Sequence, residues 1–146
     1  MFKRIIWATD GSEASDLAMP FAKDLATDNG GEVIVVHCTE LMLPGKGGGS
    51  YPRNAEEDVV KAKIERQAED LLSAGVRTTV EIATSKVGEA AEVIAAAAKS
   101  DQADVIVIGT PGHTALGGLL VGSVSQHLLR LAPCPVLVVP ARDGQG

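Results

Sequence analysis

The stretch Val105-Ile106-Val107-Ile108-Gly109-Thr110-Pro111-Gly112 decides the fold prediction for this chain. Four consecutive β-branched residues are typical of a strand buried on both faces, as in a parallel sheet covered by helices. After nine further residues, the string Gly122-Ser123-Val124-Ser125 opens a segment whose apolar spacing predicts a short helix at 123–131. The glycines therefore lie between a buried strand and a helix.

This strand-to-helix connection is longer than most in compact domains, and long connections are often functional. A helix N-terminus carries unpaired amides and a partial positive charge, and glycine lets a phosphate approach those amides closely. The connection therefore predicts an anion-binding loop suited to the phosphates of a nucleotide. The structural alternative is that Gly109, Gly112 and the pair Gly117-Gly118 only supply turns.

Two common phosphate motifs do not fit the sequence. A P-loop needs Gly-Lys followed by Ser or Thr, a string that the chain lacks. The dinucleotide fingerprint needs G-x-G-x-x-G after the first strand, where this chain has Asp10-Gly11-Ser12. Kinase-type and dehydrogenase-type sites are therefore excluded.

Strand-like and helix-like segments alternate outward from the glycines. Strands are predicted at 4–9, 32–38, 76–83, 105–109 and 136–139, and helices at about 12–27, 55–74, 88–99 and 123–131. This alternation predicts one α/β domain over 1–146: a Rossmann-like, doubly wound, five-stranded parallel sheet of order 3-2-1-4-5 with helices on both faces.

Local signals refine two connections of this predicted domain. Asn54 and Glu57 have the spacing of a capping box for the second helix, and Gly75 can end that helix. The glycine-rich segment 43–53 follows the second strand, so we expect a mobile loop at the ligand edge of the sheet. A linker without a role is the alternative.

Composition limits the classes of partner. The net charge of −6 and the lack of Lys or Arg runs argue against nucleic acid, which binds basic patches. Asp10 ends the first apolar run too early for a signal peptide, and no segment reaches membrane-spanning length. Cys38 and Cys134 lack metal or redox spacing and are expected to be free thiols. We expect a cytoplasmic protein with no nucleic-acid or membrane partner.

The ends of two strands mark the expected site. In a doubly wound sheet, ligands bind beyond the carboxyl ends of the strands, where the strand order reverses. Asp10 ends the first predicted strand and Gly109 ends the fourth. Because 110–121 contains no Lys or Arg, a divalent cation held through water by Asp10 is expected to offset phosphate charge. An Asx turn before the first helix is the alternative role for Asp10.

Two histidines are ambiguous. His113 is the only candidate cation in the loop, and a solvated surface residue is its alternative. His37 ends the buried second strand and is expected to be a packed polar residue, although its neighbouring backbone can meet a base.

The pattern Gly109-x-x-Gly112, nine residues, then Gly122-Ser123 resembles the ATP-binding signature of the universal stress protein family. The resemblance covers almost the whole chain, including Ala8-Thr9-Asp10 and Val36-His37. It implies a five-stranded α/β domain, ATP or a related adenine nucleotide at the switch point, and homodimers joined through the last strand.

The resemblance also implies roles for individual residues. The resemblance places six residues along the nucleotide, with the Cys38 backbone at the adenine: Ala8, Thr9, Asp10, Cys38, Ile108 and Gly109. At the phosphates it places Gly112, His113, Gly122, Ser123, Val124 and Ser125. The implied ligand is ATP with Mg²⁺ or Mn²⁺.

Three classes of function compete for this pattern. A regulatory or stress-response nucleotide binder with little turnover is favoured because no convincing general base lies near the expected phosphates. The alternative is a slow metal-dependent ATPase or a nucleotidyl-transfer enzyme. A phospho-receiver is rejected, because Gly11, Ala83-Thr84 and Pro140 stand where it needs an acid, an Asp and a Lys.

Overall fold

The computed structural model describes residues 1–42, 49–52, 55–113, 119–120 and 122–141. Its strands are β1 (Arg4–Ala8), β2 (Glu32–Met42), β3 (Tyr51–Pro52), β4 (Arg77–Lys86), β5 (Val105–Thr110), β6 (Gly112–His113), β7 (Leu119–Leu120) and β8 (Val136–Pro140). Its helices are α1 (Glu13–Asn29), α2 (Glu57–Ser73), α3 (Ala90–Ser100) and α4 (Ser123–Leu131). Every predicted helix is present. β2 and β4 run past their predicted ends because they pair with each other over their whole shared length.

The main sheet has five parallel strands in the order β4-β2-β1-β5-β8. Counted along the chain, these long strands have the predicted order 3-2-1-4-5. The sequence did not predict the sixth strand, β3, which pairs antiparallel with the end of β2. It also did not predict the separate two-stranded sheet of β6 and β7. The doubly wound α/β fold is therefore confirmed, with short antiparallel additions at the ligand edge.

The two faces of the sheet pack into two cores. Ile5 and Trp7 of β1 belong to the core that also contains α1 and α2, whereas Ile6 and Ala8 belong to the core with α3 and α4. Both cores exclude water, since these β1 residues are at most 3% exposed. Burial on both faces explains why the strands are continuous apolar runs rather than alternating ones.

The start of α2 differs from the prediction. The residue before the helix, Glu56, makes no side-chain cap hydrogen bond. The carboxylate of Glu57 does not form a capping box, because it is buried and bonded to His37 and Thr39 instead. The capping-box prediction was therefore wrong for Glu57, and its other member, Asn54, lies outside the described residues.

The sequence also predicted how α2 ends and predicted a loop before this helix. Gly75 follows α2 with a φ of +87°, as expected for a glycine that ends a helix. Of the loop predicted at 43–53, Tyr51 and Pro52 form β3, and 43–48 and 53 lie outside the described residues.

Candidate functional site

A cavity of about 560 Å³ lies at the carboxyl ends of β1, β2 and β5, where the order of the sheet reverses. The first turns of α1, α3 and α4 complete its walls. Ten of the twelve predicted site residues line it: Ala8, Thr9, Asp10, Cys38, Ile108, Gly109, Gly122, Ser123, Val124 and Ser125. The structure therefore brings together residues that are about a hundred positions apart in sequence.

The remaining two predicted residues, Gly112 and His113, form β6. Gly112 pairs with Leu120 and His113 with Leu119. The backbone of this part of the predicted phosphate loop is thus engaged in a short antiparallel hairpin.

Sequence reasoning missed several lining residues. Glu40 follows Val36 and Cys38 at intervals of two along β2, so strand alternation could have found it. No sequence signal distinguished the rest, which reach the cavity from the first turns of helices and from the residues that follow β5 and β8: Ser12, Glu13, Ala14, Ser15, Ala90, Ile94, Pro111 and Ala141.

The turn at Asp10 is held by hydrogen bonds within the chain. Asp10 Oδ1 accepts from the Ser12 amide at 2.9 Å and from the Ser15 hydroxyl at 2.8 Å. Burial would raise the pKa of Asp10, but the hydrogen bonds from Ser12 and Ser15 together outweigh it and lower the pKa below its usual value. Asp10 therefore forms the Asx turn that was its alternative role, and it stays ionised at neutral pH.

The two helices that begin beside Asp10 and Gly122 differ in their caps. The Ser12 hydroxyl accepts from the Ser15 amide at 3.3 Å and so caps α1. At α4 the N-cap residue is Gly122, which has no side chain to cap the helix. The Gly122 amide itself donates to Thr110 Oγ1 at 3.1 Å. The amides of the first α4 turn, at Ser123 to Ser125, are therefore the donors available to a ligand.

The two glycines that flank this region also differ. A Cβ atom at Gly109 would lie 2.1 Å from the Ala14 carbonyl oxygen, so the packing of α1 on β5 requires glycine there. At Gly122 the nearest heavy atom to such a Cβ, among the described residues beyond its chain neighbours, is Pro111 Cδ at 3.9 Å. Protein packing requires the first glycine and leaves space at the second.

The cavity walls carry negative charge. Asp10, Glu13 and Glu40 line it, whereas no Lys, Arg or His is found among the described lining residues. Glu40 Oε2 accepts from the Gly88 amide at 2.7 Å. Across the described part of the chain, no group of three or more His, Cys, Asp or Glu could hold a metal ion.

The thiols are free, as predicted. Burial raises the pKa of the Cys38 thiol, although a hydrogen bond to Ser85 Oγ at 3.2 Å opposes the shift. Burial likewise raises the pKa of Cys134. Both groups are therefore neutral thiols at pH 7. Within the described ranges, no helix is long and apolar enough to cross a membrane.

Residues 1–140 match the model of the universal stress protein family. A universal stress protein of Thermus aquaticus is 38% identical over 143 residues, which cover 95% of this chain and 99% of that protein. The structure of a universal stress protein from Archaeoglobus fulgidus has a TM-score of 0.71 and 27% identity, covering 95% of this chain and 98% of that one.

Two further solved structures with the same fold hold adenine nucleotides. A universal stress protein from Archaeoglobus fulgidus in complex with dAMP has a TM-score of 0.63 and 24% identity, covering 95% of this chain and 98% of that one. A family member from Arabidopsis thaliana with AMP bound has a TM-score of 0.66 and 16% identity, covering 97% of this chain and 93% of that one. With the family model matched over nearly its whole length, this chain belongs to the universal stress protein family.

Proposed function

We propose that this chain is a cytoplasmic regulatory or stress-response protein that binds an adenine nucleotide, ATP with Mg²⁺ or Mn²⁺, in the cavity. The observation that carries the proposal is the uncapped N-terminus of α4 beside Gly122, where open space lets a phosphate reach the first-turn amides. The adenine nucleotides held by solved family members support the choice of ligand.

The apolar part of the cavity wall suits the adenine base. Ala8, Val36, Ile108 and Ile94 present apolar side chains to it, and each of them is at most 6% exposed before any ligand binds. A flat, largely apolar adenine ring fits between such walls, and the neighbouring backbone of Cys38 can bond its edge.

A divalent cation fits this site only in a limited way. Asp10 is ionised, but its Oδ1 already accepts two hydrogen bonds, and the described residues supply no cluster of ligands around it. A metal would therefore be held mainly by phosphate oxygens and water, with Asp10 as a partner through water. When bound, the metal would supply the positive charge that the phosphates need and that the carboxylates of Asp10, Glu13 and Glu40 cannot supply.

The same geometry favours binding over hydrolysis. Asp10 is the acid beside the α1 turn, and its lowered pKa makes it a weak general base at neutral pH. A slow metal-dependent ATPase is the competing function. Release of phosphate from ATP above background with Mg²⁺ or Mn²⁺, abolished by Asp10→Asn, would support the enzyme instead.

Titration calorimetry with Gly122 variants tests the proposal. Gly122→Val should weaken binding of ATP with Mg²⁺ at least about tenfold, or about 1.4 kcal/mol, because its side chain blocks the α4 amides. Gly122→Ala, a smaller obstacle at the same position, should have a smaller effect. Thermal unfolding without ligand checks that both variants fold. If the unmodified protein binds neither ATP nor AMP, with or without metal, the proposal is wrong.

We also propose a homodimer through β8. This strand is at the edge of the sheet, paired only with β5 among the described strands, and Leu137 on it is 36% exposed. An apolar edge strand invites pairing with a second copy. Leu137→Lys should yield a monomer, while a mass near 15.1 kDa for the unmodified protein in light scattering at micromolar concentration would contradict the dimer.

A further inference from the structure

A buried polar cluster lies beside the cavity, on the face of the sheet that packs against α2. It consists of His37 and Thr39 of β2 and Glu57 of α2, which are 3%, 3% and 6% exposed. Val36 and Cys38, on either side of His37, line the cavity. Strand alternation therefore directs the His37 side chain to α2 and its neighbours to the ligand.

His37 connects α2 to the end of β1. Its Nδ1 lies 2.8 Å from the Thr9 carbonyl oxygen, and its Nε2 lies 2.6 Å from Glu57 Oε1. Because a carbonyl oxygen can only accept, Nδ1 must carry the hydrogen and donate to Thr9. The Thr39 hydroxyl donates to the same Glu57 oxygen at 2.7 Å.

Thr9 is thereby held at every polar group that it has. Its amide donates to the Val36 carbonyl at 3.0 Å, and its hydroxyl accepts from the Gly11 amide at 3.1 Å. With the carbonyl held by His37, the peptide plane between Thr9 and Asp10 has one orientation. This orientation fixes where Asp10 enters the cavity.

We propose that His37, oriented by Glu57, is a positioning residue for nucleotide binding and couples α2 to the cavity through Thr9. The proposal rests on the proposed function, because the ligand that it positions is the adenine nucleotide. Coupling of this kind is reciprocal: α2 sets the affinity of the cavity, and nucleotide binding restrains α2.

A second set of contacts joins the same helix to the same turn. Lys63 Nζ donates to the Gly11 carbonyl at 2.9 Å and to Asp16 at 2.7 Å. Gly11 has a φ of +82°, and a Cβ there would lie 2.8 Å from Val60 Cγ1. Val60 and Lys63 of α2 therefore contact the turn directly, and Glu57 reaches it through His37. The first half of α2 is the part expected to respond.

Two substitutions at His37 separate positioning from stability. In His37→Asn the side-chain amide can replace Nδ1 as a donor to Thr9 but cannot reach Glu57. In His37→Gln the longer side chain can reach Glu57 but loses the bond to Thr9. Each variant removes one buried hydrogen bond, so their stabilities should fall by similar amounts. Only His37→Gln should weaken AMP binding by about tenfold in titration calorimetry.

Glu57 supplies the conservative rescue. Glu57→Gln can still bond the His37 ring and should keep the affinity for AMP within about twofold, whereas Glu57→Leu should weaken it by about tenfold. Thr39→Val removes a bond to Glu57 but none to His37, and it is the matched control with nearly unchanged affinity.

Hydrogen exchange on the unmodified protein tests the coupling even if the variants do not fold. Saturating AMP should slow exchange of the α2 amides from Glu57 to Lys63. Equal affinity of His37→Asn and His37→Gln, or unchanged α2 exchange when AMP is bound, would overturn the proposal while leaving nucleotide binding intact. Failure of the unmodified protein to bind any adenine nucleotide would instead overturn the proposed function, and this proposal with it.

Discussion

Two helices begin at the same cavity, and their first turns are used differently. At α1, the Ser12 hydroxyl caps the helix and Asp10 bonds the turn before it. At α4, a glycine occupies the cap position and has no side chain to cap the first amides. Both helix ends carry the same partial positive charge, so the difference lies in whether the chain's own side chains satisfy it. The capped end serves the fold, and the end that begins at Gly122 is the one at which we propose that a ligand binds.

The flanking glycines show the same division. Gly109 allows the backbone of α1 to approach β5 at Ala14, whereas none of the described residues comes close enough to Gly122 to require a glycine there. Position in a glycine-rich motif is therefore not enough to assign a role, because a glycine can serve helix packing or ligand approach.

The largest expected effect is on stability at the two glycines. Gly109→Ala should cost about 3 kcal/mol or more, because a backbone carbonyl cannot move away from the new methyl group. Gly122→Ala should cost no more than about 1 kcal/mol, the usual difference between these residues at an N-cap. Chemical denaturation without ligand measures both. Equal losses in the two variants would remove the distinction between the glycines.

The starts of α1 and α4 should show the next largest difference in the free energy of unfolding. Ser12→Ala should lower the free energy of unfolding by about 1 kcal/mol, because it removes the side chain that caps α1. Ser123→Ala, the matched change at the exposed start of α4, should alter stability by less than about 0.5 kcal/mol. A larger loss at Ser123 would show that its hydroxyl supports α4 as Ser12 supports α1.

The smallest effect is the pH dependence of the Asp10 turn. Because the pKa of Asp10 in the folded protein is lowered from 3.8, its ionised form stabilises the fold. This contribution is present above pH 3.8 and is lost as the pH falls through the folded-state pKa. Asp10→Asn should therefore be less stable than the unmodified protein at pH 7, with a gap that narrows below about pH 4. A gap that is constant with pH would show that the charge of Asp10 has no part in the turn. Solvent at the cavity mouth keeps the effect modest.

The sequence was a good guide to the elements and a partial guide to the site. Buried strands such as 4–9 and 105–109 are continuous apolar runs, so the order of the elements could be predicted. Asp10 follows the first of these strands and Gly109 ends the second, so the place of the candidate site could be predicted as well. Glu40 was missed although strand alternation indicated it. Glu57 was assigned to a helix cap because local spacing cannot reveal that His37 and Thr39 lie across from it.

The α/β alternation, the carboxyl-end position of the candidate site and the family could all be predicted from the order of the amino acids, because each depends on local periodicity or on motifs of neighbouring residues. Three further facts became visible only in the folded chain: Gly109 accommodates α1, the Gly122 amide bonds Thr110, and His37 joins Glu57 to Thr9. These facts depend on distances between segments far apart in the chain. Such distances are set by how helices and strands pack, and no spacing along the sequence encodes them.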